Sequence, residues 1–150
     1  MSWAGLFSLT NLVAVLGWIA LLFLPRRPLV LSTILYACVG LLCLAYLAMF
    51  AATFGGLVDA GRVAGTAPPD LSNYSIQGIR SLFMSDGGIV IGWTHYLAFD
   101  LFVGLWIARD GDAKGISRWI QSPILLVTFL AGPIGLLAWL IVRGWRSQPR

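Results

Sequence analysis

The sequence predicts an all-α membrane protein: a four-helix transmembrane bundle with a short surface helix in the long loop between spans 2 and 3. Three observations predict it. Of the 150 residues, 59% are hydrophobic and 11% charged, against about 25% charge in a soluble domain. The apolar residues form four runs of the length that crosses about 30 Å of hydrocarbon. The charges collect at the ends of those runs, where they anchor helices. A chain of this length reads as one integral membrane domain over residues 1–150.

The net charge of +4 does not mark a nucleic-acid binder, because no single solvated face gathers the basic residues. The partner expected from composition is membrane lipid. Cys38 and Cys43 lie five apart on one apolar run, about 140° from each other on a helix, so they do not form an intrahelical disulfide. With no CxxC, no HExxH and no second histidine, a closed zinc site is not expected. Neither metal nor cofactor is assigned.

Span 1 covers about residues 3–24. No basic segment precedes it and no small-x-small cleavage site follows, so it reads as a retained span. Thr10 and Asn11 form a polar spot within it. Asn11 has two readings: a local bond to backbone, or a partner for a group in span 3. Pro25-Arg26-Arg27-Pro28 is a connector short enough to make spans 1 and 2 an antiparallel hairpin. Span 2 covers about 29–54, with Tyr36 and Tyr46 as packing or interfacial residues.

Gly, Pro, Asp, Ser and Asn then concentrate between Gly55 and Asp86, which reads as the one long loop. Asp70 or Ser72 is the expected cap of a short helix carrying Ile76, Ile79, Leu82 and Phe83 on one face. That helix would lie on the membrane surface or lid the bundle. Span 3 covers about 87–108 and span 4 about 120–142. In span 4, Pro133 removes the bond to the Phe129 carbonyl, which predicts a kink or an available carbonyl. Four crossings put both termini and the long loop on one side. Five Lys/Arg then face five across the membrane, and orientation is undecided.

Span 3 is the working helix of this reading. At about 100° per residue, one arc holds Val90, Ile91, Thr94, Leu97, Ala98, Leu101 and Leu105, and suits lipid. The other holds Trp93, His95, Tyr96, Phe99, Asp100, Phe102 and Trp106 with Gly88, Gly92 and Gly104, and suits protein or a ligand. Asp100 lies about 18 Å along the helix from Gly88, near mid-bilayer. A charge there costs about 2.5–3.5 kcal/mol on insertion scales and marks a functional hypothesis. The glycine ridge allows another helix to approach closely, and self-association is among the arrangements it permits.

His95 and Asp100 diverge by about 140° on a helix, so they would flank a groove rather than bond each other. One reading makes them an acid and a base at a ligand. The other makes Asp100 a structural group bonded to Asn11, a tyrosine or a freed carbonyl. Trp93, Tyr96, Phe99, Phe102 and Trp106, with Asn11 and Tyr36, are the candidate lining of a slot for a flat, lipid-soluble molecule. An extended isoprenoid suits such apolar walls better than a polar metabolite.

The run Trp93-Thr94-His95-Tyr96, then Asp100-Leu101-Phe102 and Asp110-Gly111, resembles the abscisic-acid-deficient family of small membrane proteins. The likeness continues with Phe129 and Gly132-Pro133-Ile134-Gly135. Plant members of that family are associated with neoxanthin synthesis. The resemblance implies a carotenoid as substrate or bound pigment and a neoxanthin-synthase-like isomerisation, with Asp100 and His95 as proton carriers. Leu105 stands where plant members carry Arg, and no plastid transit peptide is visible, so the expected member is bacterial-type, in an inner membrane. Oxidative, light-dependent cleavage of a carotene to an apocarotenoid such as retinal is an alternative. Non-catalytic carotenoid binding or assembly is another.

Overall fold

The computed structural model describes residues 2–66 and 70–146. Among them the order is α1 (Trp3–Phe23), α2 (Pro28–Phe54), α3 (Ile76–Leu82), α4 (Asp86–Ala113), α5 (Arg118–Leu130) and α6 (Gly132–Arg146). Helices α1, α2 and α4 are long and apolar enough to cross a membrane. Pro28 opens α2 at a position where its missing N–H costs nothing. Residues Ile34–Val39 of α2 are wound as a π-helix, for which the sequence carries no signal.

Helix α4 is the centre of the bundle. Its face toward α1 uses small residues to bring the helices close. A side chain at Gly104 would collide with the Trp18 ring, and one at Gly17 with Leu101. Leu101, Leu105, Ile107 and Ala108 join Ala14, Trp18, Leu21, Ile34 and Leu42 in one buried cluster. The start of α4 is pinned by Ser85, whose hydroxyl accepts from the Gly88 N–H at 3.0 Å, and by the Gly87 amide donating to Ala60 O. Ser85→Ala is expected to cost about 1 kcal/mol, as N-cap losses do, read as a lower midpoint in thermal unfolding in detergent.

The fourth apolar stretch is not a fourth crossing. Residues 120–142, expected as one span, divide at Ala131, where the backbone leaves helical geometry (φ −157°, ψ 80°). Pro133 cannot donate to the carbonyl of Phe129, and its ring crowds that carbonyl, so the helix stops and a new one begins at Gly132. The new helix turns back. Gly135 packs against the backbone of Thr128, seven residues earlier, where a straight helix would separate the two by about 10 Å.

Contacts further along fix the direction. At the start of α5, Gln121 bonds Asp112 and the Ile116 carbonyl; at its end, the Leu130 carbonyl accepts from Tyr96 Oη at 3.2 Å. In α6, Gly132 lies against Asp100, whereas Trp139 Nε1 and Arg143 Nε donate to Asp110 at 3.2 and 2.8 Å. Helix α5 therefore runs in from the Asp112 end of α4 to its middle, and α6 runs back out. The pair is a helical hairpin with its tip beside the middle of α4.

A buried clamp holds the hairpin's base. Arg26, whose side chain is 4% exposed, donates to Gln121, to Asp112 and to the Ala108 carbonyl. Burial pushes the Arg26 guanidinium below its ordinary value, and the charge of Asp112 opposes that shift. Arg118 adds a bond to the Leu24 carbonyl. The two short turns and the base of the hairpin thus share one end of the molecule.

The hairpin also breaks the tie in charge. With α6 returning, Arg143 and Arg146 join Arg26, Arg27, Arg109, Lys114 and Arg118 on the turn side, against Arg62 and Arg80 on the side of the long loop. Among the described residues that is seven against two, with short turns on the richer side, from which the turn side is expected to face the cytoplasm. Reporter fusions are expected to place the C-terminus in the cytoplasm and the N-terminus across the membrane. Both termini on one side would contradict the hairpin.

Candidate functional site

Exposure along α4 reverses the two arcs expected from the sequence, except that Asp100 and Gly104 are buried as expected. The aliphatic arc is core: Leu101 is 0% and Val90 5% exposed. The aromatic arc looks outward, with Phe99 at 56%, Phe102 at 48%, Trp93 at 40% and Trp106 at 37%. Helix α4 is packed on three sides, by α1, by α2 and by the hairpin, and its tight contacts need small and aliphatic residues. The aromatic side chains are left on the fourth side. That open face is the floor of a trough.

One wall of the trough is α2. Tyr46 stacks with Phe50 (5.9 Å between ring centroids) and Phe50 with Phe54 (4.5 Å). Tyr46 also lies against His95 (5.7 Å), and His95 against Phe99 (4.6 Å). Below this row, Leu35, Tyr36, Val39 and Gly40, at and just after the π-helical turn, line a depression of about 410 Å³ with Cys43, Ala98, Phe99 and Phe102. Above it, His95, Tyr46 and Phe50 line another of about 260 Å³ with Gly88, Gly92 and Phe83. Together they follow α4 from Phe102 to Gly88, about 21 Å at 1.5 Å per residue.

The other wall is incomplete. The hairpin tip reaches only to Tyr96, so neither α5 nor α6 covers α4 between the tip and the loop side. Phe7, Phe83, Ile89, Gly92, Trp93 and Tyr96 line the gap, a cavity of about 490 Å³. Trp93 stacks on Tyr96 (5.1 Å) and touches Phe7 (6.1 Å). Asn11 accepts from Trp93 Nε1 at 3.1 Å and donates to the Phe7 carbonyl. Both readings of Asn11 thus hold at once: a local backbone bond and a partner in span 3, namely Trp93 rather than Asp100.

The long loop closes the upper end. Ser75, not Asp70 or Ser72, caps α3 by accepting from the Gly78 N–H; Asp70 instead accepts from the Ser72 amide and hydroxyl. The end of α3 settles on the glycines of α4: a side chain at Gly88 would strike the Leu82 carbonyl, and one at Gly92 the Phe83 ring. The glycine ridge is therefore filled from within the chain, by Leu82, Phe83 and Trp18. Phe83 stands between the His95 side and the Tyr96 side of the trough, lining both.

Asp100 is 7% exposed and occupies the hairpin tip. Its carboxylate rests on Gly132, where any Cβ would collide with Oδ1, and it interacts with the Gly132 amide and the Tyr96 hydroxyl. Tyr96 lies one helical turn before Asp100, the spacing at which side chains meet. Oδ2 is buried and makes no hydrogen bond. Gly132 opens α6, so Asp100 sits where a helix N-terminus presents its unpaired N–H groups.

The structure separates several predicted site residues. His95 is on the α2 flank of the trough and Asp100 behind the opposite flank, with Tyr96 between Asp100 and the cavity. Tyr36, Phe99 and Phe102 belong to the lower depression, and Trp93 and Asn11 to the upper cavity. Trp106 leaves the site and stacks under Arg143 (5.8 Å) at the turn side. Phe7, Tyr46, Phe50, Phe83 and Gly132 complete the site without having been singled out as its members. Gly132-Pro133 was the visible signal for the tip. Bare Gly92 beside two aromatics was the signal for Phe83.

A family model described as ABA DEFICIENT 4-like matches residues 5–139. No curated protein and no solved structure matches the chain.

Proposed function

The chain belongs to the ABA DEFICIENT 4-like family, and from that premise we propose that it binds a carotenoid in the trough of α4 and converts it within the bilayer. The family relates to carotenoid (neoxanthin) biosynthesis in plants. The observation that carries the reading is the trough itself. It is open to lipid along its length, walled by aromatic rings, and bordered by titratable groups on both flanks. An extended polyene enters sideways from the hydrocarbon and lies along α4 without crossing water. Its length and apolar walls favour an isoprenoid over any compact polar ligand.

The chemistry proposed is a proton transfer of the neoxanthin-synthase-like kind. An epoxide opens when its oxygen gains a proton, and an allene forms when a carbon of the polyene loses one. Groups that give and take protons are needed on the ligand's path, and His95 and the Tyr96–Asp100 pair are those proposed to do so. The setting proposed is a bacterial inner membrane, with Leu105 replacing the arginine of plant members.

Expression in cells that make β-carotene or an epoxidised xanthophyll tests this, with pigments analysed by chromatography and absorption. A new isomer that requires the protein supports the proposal. Shorter apocarotenoid products would redirect it to cleavage, and unchanged pigment at a fixed ratio to a binding protein. Neither product nor bound pigment from folded protein would overturn the carotenoid reading.

A further inference from the structure

We infer that Tyr96, not His95, is the residue that exchanges a proton with the ligand, and that Asp100 is the positioning residue behind it. The inference rests on the carotenoid reading and assigns roles within it. Tyr96 is the only one of the three that reaches both places the chemistry needs. Its ring lines the cavity left by the half-length hairpin, and its hydroxyl meets Asp100 and the Leu130 carbonyl at the tip. Asp100 itself, 7% exposed, lines none of the cavities described for the trough.

The tip is built for exchange. The Tyr96 hydroxyl donates its one proton to Leu130 O, which leaves its oxygen open to a proton from Asp100, one helical turn on. Asp100 keeps one oxygen, Oδ2, buried and unbonded, an acceptor site that no other group in the tip occupies. Its other oxygen meets the Gly132 amide at the start of α6, a site that holds a negative charge once the proton has left. His95 offers no such relay. It is exposed on the α2 flank between Tyr46 and Phe99, a setting for stacking against a polyene.

The step balances without another reagent. The Tyr96 O–H bond breaks as its proton passes to a ligand atom, and the phenolate takes the proton of Asp100, leaving a carboxylate against Gly132. An isomerisation gives one proton and takes one. The relay running in reverse at a second ligand atom restores both residues.

The test uses full-length protein in nanodiscs, with violaxanthin and β-carotene as probes and kcat and KM measured on folded protein. Tyr96→Phe is expected to lower kcat by about 100-fold or more, the scale of a lost acid–base group, with KM unchanged. Asp100→Asn is expected to lower kcat less, also at unchanged KM, which a purely structural role would not produce in the folded fraction. His95→Ala is expected to raise KM with little change in kcat. Wild-type kcat in Tyr96→Phe, with kcat abolished in His95→Ala, would overturn the assignment while leaving the carotenoid reading intact. If Tyr96→Phe does not fold, wild-type kcat in Asp100→Asn overturns the relay and a loss at unchanged KM supports it. No product from the wild type with either probe overturns the carotenoid conversion itself, and this assignment with it.

Discussion

Gly135→Leu is expected to prevent the C-terminal hairpin from closing, with a loss of about 3 kcal/mol or more, the upper range for overpacking. A side chain at Gly135 meets the Thr128 hydroxyl and, beside it, the backbone N and Cα of Thr128, which cannot rotate away. The two helices would have to part at the tip. That would pull Gly132 from Asp100 and Leu130 from Tyr96, and it would loosen Trp139 and Arg143 from Asp110. Thermal unfolding in detergent, with folded yield by size exclusion, reads the effect. The substitution also discriminates between folds. In a straight fourth span, residues 128 and 135 are about 10 Å apart and a leucine added to an apolar helix is harmless. Wild-type stability for Gly135→Leu would contradict the hairpin.

The second large effect is on pigment. Cys43 is an exposed residue of α2 that lines the lower depression with Tyr36, Phe99 and Phe102. Cys43→Trp puts an indole where the polyene is proposed to lie, without crowding the buried core. Pigment retained per folded protein is expected to fall at least tenfold, equivalent to about 1.4 kcal/mol of binding, with the thermal midpoint close to wild type. Leu126→Trp, on the outer face of α5 (50% exposed), is the matched control and is expected to keep its pigment. Equal retention in both variants would remove the lower depression from the ligand path.

How far the sequence reached differs by element. The helical class, α1, α2 and α4, and the long loop with its short helix were legible, because runs of apolar residues and clusters of Gly, Pro and Asp each have a direct physical cause. Asp100 was legible as exceptional from its depth alone, and the motif around it pointed to the family. The facing of α4 was not legible. Lipid and protein core are equally apolar, so hydrophobicity does not say which arc meets which. The aliphatic arc proved to be the packed one because it meets small residues of its neighbours, as Leu101 on Gly17 illustrates.

The hairpin was hidden for a related reason. Residues 120–142 are apolar over a bilayer's length, and Gly132-Pro133 announces a break without saying where the chain goes next. Its direction is decided by groups distant in sequence, namely Asp110 receiving Trp139 and Arg143. The consequence for the site is large. A full fourth span would have covered the face of α4 bearing Trp93 and Tyr96, whereas a half-length hairpin leaves a cavity there and brings a helix start to Asp100. The His95–Asp100 pairing was read from spacing as two groups flanking one groove. It missed that Tyr96 stands between Asp100 and that groove.

The central claim is that the outward face of α4, from Phe102 to the gap above the hairpin tip, is the carotenoid site. An experimental structure of the pigment-loaded protein in nanodiscs tests it most directly. The account predicts elongated density along α4 against Phe99 and His95, with one end beside Trp93 and Tyr96. Density confined to the outer face of α5 and α6, at full pigment stoichiometry, would contradict it.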